Sequence, residues 1–158
     1  MTRPRGKPKS GPADPVRSLE HDRVDIGFPS STEYLALIRS VAHWFAKRAG
    51  FPERERSRVE LAVVEATTNI IRHAYQGDAD RTIRLRLQMI EGGIEVVFTD
   101  QGSGAPATAL TGRRPGALEP GGLGLHMMKT CMDDLCYEPL PGGGARLTMR
   151  KLREGKEP

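Results

Sequence analysis

Cysteine is scarce in this 158-residue chain, which has only Cys131 and Cys136. Two are too few for a disulfide framework, and no second Cys or His pair stands at ligand spacing, so a zinc-finger organisation is excluded and both are expected as reduced thiols. Aromatic residues make up only 5% of the chain, and none interleaves with the basic residues of the first twenty positions, where base stacking would need them. No apolar run approaches the roughly 20 residues of a membrane span. The opening MTRPRGKPKSGPADP lacks the apolar stretch of a secretory signal, which makes the cytoplasm the expected location.

What is present fits one globular domain. Charged residues form 28% and hydrophobic residues 37%, a balance away from the disordered and membrane classes. The net charge of +4 is concentrated at the start, where Arg3, Arg5, Lys7, Lys9 and Arg17 face only Asp14 and Glu20. This Pro- and Gly-rich stretch cannot bury enough apolar surface to offset its ordering entropy. Residues 1–20 are therefore expected as a disordered basic leader, 21–154 as the folded domain and 155–158 as a tail. A nucleic-acid partner is disfavoured.

Hydrophobic periodicity outlines the elements. Val24, Ile26 and Phe28 alternate as in a half-buried strand. Ser30 followed by Glu33 resembles a capping box, and Leu35, Ile38, Val41, Ala42 and Phe45 then recur at helical spacing until Gly50, predicting a helix over 32–49. Pro52 suits the first turn of a second helix, unbroken from Ser57 to Tyr75 and closed by Gly77. Val59, Val63, Ile70 and Ala74, flanked by Val64 and Ile71, form its core face, and Glu65, Asn69 and Arg72 share the opposite side. Ile83, Leu85, Leu87 and Met89, then Ile94, Val96 and Phe98, alternate as two strands joined at Glu91-Gly92-Gly93. Residues 105–120, without period, read as a loop. A helix follows to Leu135 on the spacing of Leu125, Met128, Met132 and Leu135, and a hairpin over 135–140 and 145–152 closes the chain. The expected fold is an α+β two-layer sandwich, a mostly antiparallel mixed sheet with helices on one face.

Three places on this outline carry chemistry. Asn is a poor mid-helix residue, and an amide oxygen at Asn69 suits Mg²⁺, while a carboxylate one turn earlier, Glu65, suits proton abstraction. Asp100 ends an apolar strand in Asp100-Gln101-Gly102-Ser103-Gly104, where the backbone can approach a ligand and the carboxylate can accept an amino hydrogen. Gly121-Gly122-Leu123-Gly124-Leu125 opens a helix, offering free N–H groups to phosphate. Taken singly, each also fits a plainer reading: a solvated helix face, an ordinary turn, a tight loop.

Taken in order, Glu65-Ala66-Thr67-Thr68-Asn69 with His73-Ala74-Tyr75, the Asp100 box and the Gly121–Leu125 box resemble the histidine-kinase-like ATPase (GHKL) superfamily, and within it the anti-sigma-factor serine/threonine-protein kinases. The resemblance covers residues 24–152. It implies ATP and Mg²⁺, with Glu65 as general base, Asn69 on the metal, Asp100 on adenine, and Gly102, Gly104, Gly121, Gly122, Leu123, Gly124 and Leu125, with His73, around the nucleotide under a lid at 105–120. It also implies a sigma factor and an anti-anti-sigma phospho-acceptor as partners, and a homodimer. The alternative is a non-catalytic module of the same fold, whose protein binding ATP gates.

Overall fold

The computed structural model describes residues 22–103 and 122–153. The leader, the lid with Arg113 and Arg114, Gly104, Gly121 and the tail lie outside the described residues. In chain order the elements are β1 (Arg23–Pro29), α1 (Leu35–Arg48), α2 (Glu53–Asn69), β2 (Thr82–Ile90), β3 (Gly93–Asp100), α3 (Gly122–Cys131), β4 (Asp134–Pro139) and β5 (Ala145–Leu152).

The five strands form one sheet in the order β1-β2-β3-β5-β4, with every described pairing antiparallel. Side chains alternate across a pleat, so register decides which rows are buried. Ile26, Leu85, Phe98, Leu147 and Tyr137 align across all five strands, as do Val24, Leu87, Val96, Met149 and Leu135. These rows meet the apolar faces of the helices: Ile38, Ala42 and Phe45 of α1, Val59, Val63 and Ala66 of α2, and Met128 of α3. Burying Phe45 or Phe98 this completely contributes roughly 1.5–3 kcal/mol each. The opposite face stays polar, with Arg23 and Arg86 paired to Asp25, and Arg150 to Glu95 and Asp134. The α+β sandwich expected from the sequence is therefore the observed fold.

Helix boundaries depart from the sequence pattern where tertiary packing intervenes. A 3₁₀ turn, Thr32–Tyr34, precedes α1, and its cap is Ser31, whose hydroxyl accepts from Glu33 N–H. Ser30 is instead buried and donates its backbone N–H to Arg81 O, so the expected Ser30 capping box does not form. Pro52 is the N-cap of α2 rather than a residue of its first turn. After Asn69 the helix widens into a π turn, Ile70–Ala74, which buries Ile70 and Ile71 and turns Arg72 and His73 to solvent. The last helix begins inside the glycine box and ends at Cys131, because Leu135 belongs to β4 and packs beside Met149.

Two buried charges tie neighbouring elements together. Glu60 of α2 accepts from Arg39 Nε at 2.6 Å and pairs with His43 Nδ1 at 2.5 Å, bridging to α1. Lys151 of β5 pairs with Glu55 at 2.8 Å and Asp133 at 3.2 Å, joining the sheet to the start of α2 and the exit of α3. Both side chains would be costly to bury unpaired. Cys131 and Cys136 are free thiols, and burial pushes the Cys131 thiol up.

Candidate functional site

Helix α2 is the common wall of the site. Glu65 and Asn69 are one turn apart on it and half-buried, facing the start of α3 rather than open solvent as the sequence pattern suggested. Gly124 explains the contact: a Cβ at this position would stand 2.9 Å from Glu65 Oε2 and 3.5 Å from both polar atoms of the Asn69 amide. The bare glycine lets the N-terminal turn of α3 approach these two groups without displacing the Glu65 carboxylate. Among the described residues, neither Glu65 nor Asn69 has its side chain engaged in a hydrogen bond or ion pair. A carboxylate, an amide oxygen and the N-terminal end of a helix, whose free N–H groups favour anions, thus converge.

The Asp100 loop closes on the π turn that continues the same helix beyond Asn69. Asp100 is 6% exposed, and its Oδ1 accepts the Gly102 N–H at 2.9 Å. Burial raises its carboxyl above the usual range, against the opposing pull of that N–H. Gly102 is pressed against the π turn, where a Cβ would meet Ala74 O at 2.3 Å. From the opposite side Gly144, at φ +85°, lies so close that a Cβ would meet Asp100 O at 2.1 Å. The turn at Gly142–Gly144 was read from sequence only as a hairpin end, and its third glycine is the signal that it had a second task.

The remaining expected residues are dispersed around this centre. Leu123 is 71% exposed, whereas Leu125 packs against the core, so the two leucines of the glycine box face opposite ways. His73 is exposed on the π turn. Gly122 opens α3. Among the described residues no group of three or more His, Cys, Asp or Glu could hold a metal ion. The donor set fits a Mg²⁺ that shares the Asn69 oxygen with phosphates and waters, as this hard cation prefers, and does not fit an all-protein cage.

A histidine kinase-like ATPase domain model matches residues 28–151. The chain is 31% identical over 145 residues to the serine-protein kinase RsbW of Bacillus subtilis, covering 85% of this chain and 88% of that protein. It belongs to the RsbW family of serine-protein kinases. The RsbW of Listeria innocua is likewise 31% identical over 123 residues, 73% of this chain and 78% of that one. Solved structures agree on the fold. The RsbU and RsbW domains of Rv1364c from Mycobacterium tuberculosis superpose with a TM-score of 0.61 at 14% identity, covering 82% of this chain and 31% of that one. The SiaB–SiaC complex from Pseudomonas aeruginosa gives 0.59 at 16% identity, covering 87% and 94%. RsbW membership brings with it an ATP-binding kinase domain, and the glycine-to-carboxylate contact above is how this RsbW-family chain assembles its candidate site.

Proposed function

We propose that this chain is a protein-serine kinase and anti-sigma factor acting with Mg-ATP in the cytoplasm, as a homodimer. The observation that carries the reading is the seating of Gly124 on Glu65 and Asn69, which puts a base and a hard oxygen ligand beside a helix N-terminus. The Asn69 oxygen would hold Mg²⁺, which when bound offsets charge on the transferring phosphoryl group. Asp100 accepts the exocyclic amino hydrogen of adenine, and the N–H groups of the Gly122–Leu125 turn face the phosphates. Glu65 takes the proton from a serine hydroxyl of the acceptor as its oxygen bonds the γ-phosphorus and the bond to the β-phosphate oxygen breaks, leaving ADP. The acceptor is an anti-anti-sigma protein, and the sequestered partner is a sigma factor, by similarity to the RsbW kinases. Among the described residues no helix is long and apolar enough to cross a membrane, in keeping with this setting.

Transfer of labelled γ-phosphate into an acceptor protein tests the assignment. Glu65→Ala should lower transfer by about 10²–10⁴-fold while leaving ATP binding in place. Unchanged transfer would remove Glu65 as the base. A native chain that binds ATP without labelling any acceptor would favour the nucleotide-gated binding module.

A further inference from the structure

Tyr75 follows the π turn, is 5% exposed, and presents its hydroxyl to two backbone groups from distant segments. The oxygen accepts the Gln101 N–H at 2.8 Å and donates its proton to Thr82 O, also at 2.8 Å. One phenol therefore joins the end of α2, the start of β2 and the residue next to Asp100. Three further contacts hold the same loop: Ser103 N–H donates to Ala74 O at 3.3 Å, Gly102 lies flat against Ala74, and Gly144 closes from the other side. The Arg81 guanidinium sits 5.8 Å from the centre of the Tyr75 ring, which pins the ring as well as the hydroxyl.

We propose that Tyr75 is a positioning residue for base recognition: by holding the Gln101 backbone it sets the direction of the Asp100 carboxylate, and so the preference for adenine over guanine. The inference rests on the reading of Asp100 as the adenine partner. A carboxylate discriminates between bases only if it is aimed. It accepts the amino hydrogen at adenine C6, whereas guanine presents a carbonyl oxygen there and repels it. Asp100 Oδ1 is already occupied by the Gly102 N–H of the same loop, so the aim follows from where that backbone is tied. The phosphate end of the site, at Asn69 and Gly124, is built on different contacts and would be unaffected.

The test compares ATP and GTP dissociation constants, by calorimetry, for the full chain and for Tyr75→Phe, Gly144→Ala and Asp100→Asn. Tyr75→Phe keeps the buried ring but leaves the Gln101 N–H and Thr82 O without their partner, so ATP affinity should fall about tenfold with little change for GTP. Gly144→Ala displaces the same loop from the opposite side and should shift the preference in the same direction. The ratio of the two affinities does not depend on the folded fraction, so a purely structural role for Tyr75 would leave it constant. A preference lost in Asp100→Asn but kept in Tyr75→Phe and Gly144→Ala would overturn the positioning role alone. A preference unchanged in Asp100→Asn would overturn the adenine reading and this inference with it.

Discussion

Replacing Gly124 by Ala should separate stability from catalysis, with the two moving in opposite directions. The added Cβ would sit 2.9 Å from Glu65 Oε2, about half an ångström inside ordinary van der Waals contact. The yielding atom is the tip of a flexible side chain, so the fold absorbs the contact cheaply while the carboxylate moves. Asn69, at 3.5 Å, need not move, and nucleotide affinity should hold. A displacement of one ångström can cost about 100-fold in rate, so half that distance corresponds to about tenfold in kcat. In the helix itself Ala is preferred to Gly by up to about 1 kcal/mol, which at this chain length raises Tm by roughly 2–4 °C. The assays are thermal unfolding of the apo chain and steady-state phosphotransfer, repeated in a Glu65→Ala background. There the loss from Gly124→Ala should vanish, since the two substitutions act through one group. A Tm that drops by several degrees, or a kcat that stays constant, would refute the contact as the reason for glycine here.

Two pH-dependent outcomes follow from the buried carboxylates. Asp100 has its pKa raised by burial, so its ionisation burdens the apo fold increasingly as pH climbs from the ordinary carboxylate range through the folded value. Asp100→Asn should therefore raise apo Tm at neutral pH, leave it unchanged in strong acid, and weaken ATP binding; a lower Tm at neutral pH would contradict this. Glu60 is displaced the other way: burial, the largest single influence, pushes its carboxyl up, but the hydrogen bonds and charges of Arg39 and His43 together outweigh it. Its contribution is present above the ordinary carboxylate range and lost as pH falls through the depressed folded value. Glu60→Gln should cost about 1–2 kcal/mol in urea unfolding at neutral pH, with the difference closing in acid.

Elements were legible wherever one face of the chain is buried. The alternation in Ile83–Met89 and Ile94–Phe98 requires a half-buried hairpin in any fold, and the strands formed as read. Errors clustered at ends and at charges. Leu135 kept helical spacing with Met128 and Met132, yet the chain had already turned into β4, since a single three-residue interval cannot distinguish a helix from a helix followed by a strand. Nothing in the sequence pattern marks Glu60 or Lys151, because their partners, Arg39, His43, Glu55 and Asp133, lie too far along the chain to be matched by spacing. Tyr75 stood out only as part of a motif, since its hydrogen-bond partners Thr82 and Gln101 are brought to it by β2 and β3.

The candidate site divides along the same line. Residue type and short spacing named Glu65, Asn69, Asp100 and the glycine box, because a ligand's chemistry demands particular donors and a helix sets one turn between two of them. Those are local properties, and the sequence by itself determined them. That Gly124 lies against Glu65 and Asn69, and that the Asp100 loop is held by Ala74 at Gly102 and by Gly144 at Asp100, was decided only by the tertiary structure. Such contacts arise when α3 packs on α2 and β5 pairs beside β3, and no periodicity along the chain encodes a distance between segments that meet only after the core has formed.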